Sequence, residues 1–306
     1  MKRDFISISE LTRAELDDIL ALSTRLKRDL KGGQRPPLLA GKTLAMIFEK
    51  PSLRTRVTFE VGMTQLGGYA VYLTPADIRL GQRESVADIA RNLERWVDFI
   101  MARTFAHETL VELAQHARIP VINALSDRGH PCQVLGDCLT LIEHRGGLEG
   151  LRIAYLGDGN NMANSWIEAA ARFGFHFLIA CPRGYEPDAE IVRQASDAGA
   201  SVTISNRPED AVARADVVYT DVWASMGQEE EAAARTKVFR PYQLNEGIMR
   251  LAKPDALAMH CLPAHRGDEI TSAVMDGPQS IVFDQAENRL HAEKALLLML
   301  LAPTRV

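Results

Sequence analysis

The sequence predicts an α/β protein with two doubly wound domains, each built on a parallel sheet. The chain has 306 residues, which is enough for about two domains with separate hydrophobic cores. Short β-branched or apolar runs alternate with amphipathic helical stretches along the chain, the pattern of βαβ units. Near the middle, the segment 144–150 contains three glycines in seven residues. This segment predicts a hinge between the two domains.

The first domain is predicted to comprise residues 1–145 and to be completed by the C-terminal helix 286–306. Its first helix begins at a capping box, Thr12-Arg13-Ala14-Glu15, and stops at Gly32-Gly33. Strands then alternate with helices. Strands are predicted at 43–48, 71–73, 98–103 and 121–123, and helices near 55–66, 85–97, 107–117 and 131–144.

The second domain is predicted to comprise residues 151–285. Its strands are predicted at 152–156, 176–180, 201–204, 217–220, 256–260 and 280–283. The strongly apolar segment 286–301 then predicts a helix that returns to the first domain. Because loops at the carboxyl ends of parallel strands bind ligands, we expect the active site in a cleft between the domains.

Composition and charge exclude several classes of protein. Hydrophobic residues make up 46% and charged residues 25%, as in ordinary globular proteins. A net charge of -5 and a pI near 5.9 argue against a nucleic-acid-binding scaffold. The longest apolar run, 295–302, is far shorter than the ~18 residues of a membrane span. The N-terminal residues do not resemble a secretory signal. The four cysteines form neither a disulfide pattern nor a zinc motif, so we expect a cytoplasmic protein.

The segment Pro51-Ser52-Leu53-Arg54-Thr55-Arg56 predicts an anion site between a strand and the start of a helix. A helix N-terminus offers unpaired N–H groups and a partial positive charge. Ser52 and Thr55 add hydroxyl groups, and Arg54 and Arg56 add guanidinium groups suited to phosphate oxygens. The alternative is an ordinary N-cap serine followed by solvated arginines.

Two further segments place polar groups on loops of the same domain. Arg103 stands at the end of a predicted strand, while His130 and Gln133 lie where the helix 131–144 begins. An exposed arginine and a structural histidine are the alternatives. The chain has no Walker A pattern and no acidic cluster suited to magnesium. We therefore predict that side chains and backbone N–H groups neutralise the phosphate, with no metal and no cofactor.

The second domain carries groups suited to an amino acid. Gly157-Asp158-Gly159-Asn160-Asn161 lacks the third glycine of a dinucleotide motif and no acid ends the next strand, so NAD is not expected. Asn161 would suit a carboxylate or an amide, and Asp221 would suit an ammonium group unless it only forms a turn. In His260-Cys261-Leu262-Pro263, the proline prevents further strand pairing and exposes the carbonyls of Cys261 and Leu262.

These segments, in this order, resemble the aspartate/ornithine carbamoyltransferase family. The motifs are S-x-R-T-R, the strand-end Arg-Thr, H-P-C-Q, G-D-G-N-N, D-x-x-x-S-M-G, H-C-L-P and Glu287-Asn288-Arg289. The resemblance covers essentially the whole chain, and S-M-G with H-C-L-P looks like the ornithine branch. It implies carbamoyl transfer from carbamoyl phosphate to the δ-amine of L-ornithine, giving L-citrulline and phosphate, as in arginine biosynthesis. It also implies homotrimers or multiples of trimers.

The resemblance also implies roles for individual residues. Carbamoyl phosphate would be bound by Ser52, Leu53, Arg54, Thr55, Arg79, Arg103, His130, Gln133, Cys261, Leu262 and Arg289. Ornithine would be bound by Asn161, Asp221, Ser225 and Met226, and the catalytic residues would be Arg103, His130, Asp221 and Cys261. Two residues depart from the family pattern, which usually has threonine where Leu53 stands and glutamine where Arg79 stands. Arg79 would act in the site of a neighbouring subunit. The competing hypotheses are a transferase for putrescine or an acetylated ornithine, and a non-catalytic anion-binding regulator.

Overall fold

The structure, a computed structural model, describes residues 2–224 and 232–301. By its contacts the chain divides into two compact units. Unit 1 comprises Met1–Leu139 and Glu287–Val306, and unit 2 comprises Thr140–Ala286. Each unit contains one sheet, and the strand pairs in both sheets are parallel. The prediction of two parallel-sheet α/β domains is therefore confirmed.

The sheet of unit 1 has four strands in the order β2-β1-β3-β4. The strands are β1 (Thr43–Phe48), β2 (Tyr69–Leu73), β3 (Phe99–Arg103) and β4 (Val121–Leu125). The helices are α1 (Arg13–Lys31), α2 (Leu53–Gln65), α3 (Pro75–Ile78), α4 (Val86–Leu93), α5 (His107–His116) and α6 (Pro131–Arg145). Strand β3 is buried along its whole length, as expected for a central strand covered on both faces.

The first helix starts and stops where the sequence predicts. The side chain of Thr12 accepts from the backbone N–H of Glu15, and the Glu15 side chain accepts in return from the N–H of Thr12. These bonds satisfy two donors that a helix N-terminus leaves free. At the other end, the N–H of Gly32 donates to the carbonyl of Arg28. The capping box is confirmed.

The sheet of unit 2 has five strands in the order β7-β6-β5-β8-β9. The strands are β5 (Arg152–Leu156), β6 (His176–Ala180), β7 (Ser201–Ser205), β8 (Val217–Thr220) and β9 (Leu257–His260). The helices are α7 (Asn161–Phe173), α8 (Ala189–Asp197), α9 (Pro208–Val212), α10 (Ala232–Phe239), α11 (Glu246–Met249) and α12 (Ser272–Met275). Tyr155 of β5 and Tyr219 of β8 stack with ring centroids 5.6 Å apart, which packs the two strands that carry the site described below.

The predicted strand at 280–283 is wrong. Ser280 forms one isolated bridge with Ala258, and the N–H of Ile281 donates to the Ala258 carbonyl. The chain then enters helix α13 (Val282–Leu301) at once, four residues earlier than predicted. Charged side chains such as Arg289 interrupt the apolar sequence of this helix, which is itself continuous. No helix within residues 2–224 and 232–301 is long and apolar enough to cross a membrane.

Candidate active site

The first group of predicted site residues lies at the carboxyl ends of β1 and β3. From β1 the chain continues to β2 on one side and returns to β3 on the other. The two strands therefore flank a topological switch point, where doubly wound sheets bind ligands. Phe48, at the end of β1, pairs with Arg103, at the end of β3. Ser52 comes four residues after Phe48 in the loop that leaves β1, so the Ser52 segment and Arg103 lie at the same edge of the sheet.

The N-terminus of α2 forms one side of this site. Ser52 is the N-cap, and its hydroxyl accepts from the backbone N–H of Thr55 at 3.3 Å. Leu53 is the first helical residue and its side chain is 74% exposed. The side chain of Leu53 therefore takes little part in the packing, and its backbone N–H is the group that a ligand can use.

His130 lies among three guanidinium groups. Its pKa is held well below the ordinary value by burial and by the nearby charges of Arg289, Arg103 and Arg54. His130 is therefore neutral at neutral pH, and it can donate its N–H without adding a fourth cation. Concentrated positive charge beside a neutral donor suits a phosphate or another dianion.

Arg289 reaches this group from helix α13. Its Nη2 donates to the hydroxyl of Thr55 at 3.0 Å, and the guanidinium also pairs with Glu293, one turn further along the helix. The close packing of α13 against α6 depends on Gly136, because a Cβ at this position would lie 3.2 Å from three atoms of Arg289. The sequence motifs indicated Arg289 but neither Glu293 nor Gly136.

Gln133 lies next to His130 at the start of α6, where its backbone N–H donates to the His130 carbonyl at 3.1 Å. Its Nε2 donates to Asp137 at 2.8 Å, which fixes the orientation of the carboxamide. Its Oε1 is buried and has no partner among residues 2–224 and 232–301. A buried acceptor without a partner is costly, so this oxygen is suited to the N–H group of a ligand. Asp137 was not indicated by the sequence.

Arg79 differs from these residues. It is exposed, and it ends helix α3 in a left-handed conformation with φ of 41°. The contacts of this turn are local, since the Arg79 N–H donates to the carbonyl of Pro75. A role for Arg79 in binding carbamoyl phosphate stays a prediction.

The second group of predicted residues lies in unit 2, at the carboxyl ends of β5, β8 and β9. The order β5-β8-β9 makes these strands neighbours, so Asp221 after β8 meets Cys261 after β9. The Cys261 thiol donates to Asp221 Oδ1 at 2.9 Å. Asn160, after β5, donates through Nδ2 to Asp221 Oδ2 at 3.0 Å. Both carboxylate oxygens are thus held, and the acid is fixed for an incoming amine.

Asn160 and Asn161 have different structural positions, which the sequence did not predict. Asn160 caps α7, because its Oδ1 accepts from the backbone N–H of Met162 at 2.9 Å, and it also holds Asp221. Asn161 is the first residue of α7, and its proposed contact with ornithine stays a prediction. The sequence places Asn160 in the G-D-G-N-N motif, just before a helical pattern, but does not indicate its bond to Asp221.

The segment that follows β9 turns sharply at Leu262. Leu262 has φ of 59°, a conformation that costs energy for a side chain other than glycine. The turn is held because the Leu262 N–H donates to His260 Nδ1 at 2.8 Å, while His260 Nε2 bonds to buried Glu269 at 3.0 Å. Asp221, His260 and Cys261 each place one potential metal ligand within 4.8 Å of the others. Both ring nitrogens of His260 are already bonded, which makes this group a poor metal site.

Gly159 explains the glycine-rich appearance of the segment 157–161. A Cβ at Gly159 would lie 2.2 Å from the backbone nitrogen of Pro187, and the Gly159 N–H donates to the carbonyl of Tyr185 at 2.8 Å. Packing against another loop requires this glycine. This agrees with the interpretation that the segment is not a dinucleotide motif.

Asp158, in the same segment, is buried against Arg235 of helix α10. Burial raises the pKa of Asp158 to about 6, although the Arg235 guanidinium opposes this shift. The pair links the end of β5 to the helix that follows residues 225–231. The predicted ornithine ligands Ser225 and Met226 lie outside the described residues.

Two doubly wound units, one with cations for a phosphate-like anion and one with a carboxylate for an amine, define an α/β group-transfer enzyme. "Aspartate/ornithine carbamoyltransferase, carbamoyl-P binding domain" matches residues 3–143, and "Aspartate/ornithine carbamoyltransferase, Asp/Orn binding domain" matches residues 149–300. The chain belongs to the aspartate/ornithine carbamoyltransferase family.

Individual relatives are similar over nearly their full length. The ornithine carbamoyltransferase of Anoxybacillus flavithermus is 53% identical over 98% of this chain and 96% of its own. That of Syntrophus aciditrophicus is 54% identical over 98% of this chain and 100% of its own. The solved structure of ornithine carbamoyltransferase from Pyrococcus furiosus shares 50% identity and a TM-score of 0.94, covering 97% of this chain and 96% of that chain.

Proposed function

We propose that this chain transfers the carbamoyl group of carbamoyl phosphate to the δ-amine of L-ornithine, releasing L-citrulline and phosphate. The observation that carries this proposal is the group of three arginines around neutral His130. Such a group suits an acyl phosphate, which carries a phosphate group directly beside a reactive carbonyl. The bonded pair of Asp221 and Cys261 supports an amine as the acceptor.

The phosphate is proposed to bind at the N-terminus of α2. The backbone N–H groups of Leu53 and Arg54 would donate to its oxygens, together with the hydroxyls of Ser52 and Thr55. The guanidinium groups of Arg54 and Arg289 would neutralise its charge. These groups come from unit 1. We propose that residues 1–145 and 286–306 form the carbamoyl-phosphate-binding domain.

The carbamoyl group is proposed to be oriented by residues that contact its two ends. Arg103, His130 and Thr55 would donate to the carbonyl oxygen and stabilise the oxyanion of the tetrahedral intermediate. Removing one such donor typically costs ~3–4 kcal/mol of transition-state stabilisation. The carbamoyl NH2 would donate to Gln133 Oε1 and to the carbonyls of Cys261 and Leu262.

Ornithine is proposed to bind to residues 151–285 through Asn161, Asp221, Ser225 and Met226. Its δ-amine resembles that of lysine, with an ordinary pKa of ~10.4, so it must lose a proton before it attacks. Asp221 and Cys261 would orient the amine for this step. The neutral nitrogen forms a bond to the carbamoyl carbon, the bond to the phosphate oxygen breaks, and phosphate takes the spare proton.

We further propose a homotrimer or a multiple of trimers, acting in arginine biosynthesis in the cytoplasm. Exposed apolar side chains on two neighbouring elements of unit 1 support an assembly. On α2 these are Leu53, Val57 and Val61, and on edge strand β2 they are Tyr69 and Val71. Burying such side chains against another subunit would be favourable.

The direct test measures citrulline formed from carbamoyl phosphate and ornithine by the purified full-length chain. The same assay with putrescine, acetylated ornithine and aspartate would separate the sister transferases, and we expect a far higher kcat/KM with ornithine. A higher kcat/KM with putrescine would contradict the assigned substrate. Binding of carbamoyl phosphate without turnover of any amine would favour a non-catalytic regulator.

A further inference from the structure

The guanidinium of Arg289 is held by a carboxylate on its own helix. Glu293 Oε1 accepts from Arg289 Nε at 3.2 Å and from Nη2 at 2.7 Å. Arg289 is 2% exposed and Glu293 is 1% exposed, so water does not compete for these bonds. A two-point contact on a planar group fixes its plane as well as its position. The orientation of Arg289 therefore depends on Glu293.

In this orientation the Arg289 guanidinium contacts the first turn of α2. The same Nη2 that donates to Glu293 also donates to the hydroxyl of buried Thr55 at 3.0 Å. The hydrogen bonds that Arg289 makes with Glu293 and Thr55 use Nε and Nη2, so Nη1 is the nitrogen that a ligand can use. Burial raises the pKa of Glu293, and the Arg289 guanidinium opposes this effect. Nothing in the proposed reaction uses the Glu293 carboxylate itself.

We propose that Glu293 is a positioning residue for the phosphate of carbamoyl phosphate, because it holds Arg289 with Nη1 free at the start of α2. This inference rests on the proposed function, which assigns Arg289 to the phosphate. Glu293 does not touch the substrate and acts through Arg289. The role follows from side-chain geometry, and no sequence motif of the chain includes it.

If only its charge mattered, Glu293 would weaken phosphate binding instead of supporting it. A carboxylate beside a site for a dianion lowers the positive potential there. If Glu293 acted only through its charge, then removing it would strengthen phosphate binding, equally for glutamine and alanine. If Glu293 positions Arg289, removing it weakens binding. Glutamine would then retain part of the affinity, because its amide oxygen can still accept from the guanidinium.

The test compares Glu293→Gln and Glu293→Ala with the wild-type full-length chain. Binding of inorganic phosphate is measured by calorimetry, kcat and KM for carbamoyl phosphate by citrulline formation, and folding by thermal melting. We expect Glu293→Ala to weaken phosphate binding and raise this KM about tenfold, as loss of an orienting partner commonly does. For Glu293→Gln we expect an increase of about threefold with melting close to that of the wild type.

Two controls separate positioning from general effects. Glu287→Gln removes a carboxylate from the same helix, but Glu287 pairs with Lys27 and Lys31, so phosphate binding should not change. In an Arg289→Lys background, Glu293→Gln should cause no further weakening, because the guanidinium that it orients is gone.

Three results would overturn the inference. These are unchanged or tighter phosphate binding in folded Glu293→Gln, equal weakening in Glu287→Gln, and undiminished weakening in the Arg289→Lys background. Failure of the proposed function would look different, since the wild-type chain would then form no citrulline. The phosphate measurements would still decide whether Glu293 positions Arg289.

Discussion

Arg54 and Arg103 are the residues at which the proposed carbamoyl phosphate site is most directly tested. We predict that Arg54→Ala and Arg103→Ala each lower kcat by about a hundredfold or more, as loss of a transition-state donor does. The fold should survive, because each substitution removes one of three like charges near His130. The measurement is kcat at saturating carbamoyl phosphate, with circular dichroism to confirm folding. Near-normal kcat in either variant would contradict the role assigned to that arginine in the carbamoyl phosphate site.

The sequence identified the residues proposed to touch the substrates better than the residues that hold them. Arg103, Asp221 and Cys261 end strands or follow them directly, and strand ends can be located from local patterns. Asn160 and Glu293 act through side-chain contacts with residues far away or on a buried helix face. The contact of Asn160 depends on how β5 pairs with β8, which no local spacing reports. The four-residue spacing of Arg289 and Glu293 allows an ion pair on a helix, but only the packing of α13 shows that this pair is buried and bonded to Thr55.

Helices α6 and α13 approach closely at Gly136, and this contact yields a prediction about packing. Alanine favours a helix over glycine by up to ~1 kcal/mol. At Gly136, however, the added methyl would lie 3.2 Å from the backbone and Cγ of Arg289, and overpacking typically costs ~1–3 kcal/mol. We therefore expect Gly136→Ala to lower the free energy of unfolding and to weaken phosphate binding.

Gly62→Ala on helix α2 is the matched control for Gly136→Ala. A methyl there would find only one neighbour at 3.2 Å, the side-chain Cγ of Lys294, whereas two of the three atoms at 3.2 Å from Gly136 belong to the backbone of Arg289. We expect this variant to be as stable as the wild type or slightly more stable in chemical unfolding. Equal stability of the two variants would contradict the tight contact at Arg289.

The sequence predicts the ends of helices and strands well where hydrogen bonds between nearby residues determine them. The capping box at Thr12 marks the start of α1 because its hydrogen bonds lie within four residues. The segment 280–283 was misassigned because Ile281, Val282 and Phe283 favour strands locally. Their real structure is set by a single bridge to Ala258 and by the long helix that follows. Tertiary context therefore overrode the local preference.

The stability of the whole molecule should depend on pH through His130. Its pKa is lowered in the folded chain, so below pH ~6.5 the unfolded chain binds a proton that the folded chain does not. The free energy of unfolding then falls by up to ~1.4 kcal/mol per pH unit on acidification, until the lowered pKa is reached. Asp158 has the opposite effect on the free energy of unfolding. Its pKa is raised to about 6, so on acidification below this pH the folded chain binds a proton that the unfolded chain does not.

The comparison that isolates this effect is wild type against His130→Asn in urea unfolding between pH 7 and pH 5. His107 also has a lowered pKa, and both proteins retain it, so its contribution cancels in the difference. The variant should lose less stability on acidification than the wild type. Parallel pH profiles would show that His130 is not a buried neutral residue.

The reaction as a whole should be ordered and should accelerate toward alkaline pH. Carbamoyl phosphate should bind first, because its proposed ligands in unit 1 are fixed positive donors that do not need ornithine. The δ-amine of ornithine must then lose its proton, so activity should rise with pH, with an apparent pKa below that of the free amine.

Cys261→Ser should impair ornithine use more than carbamoyl phosphate binding, since it alters the thiol bonded to Asp221 and leaves the Cys261 carbonyl in place. Steady-state kinetics with a dead-end ornithine analogue, run from acid to alkaline pH, test this scheme. Tight analogue binding without carbamoyl phosphate, or a rate that falls from about pH 6 to pH 8, would contradict it, because the amine would then not depend on the first substrate or on deprotonation.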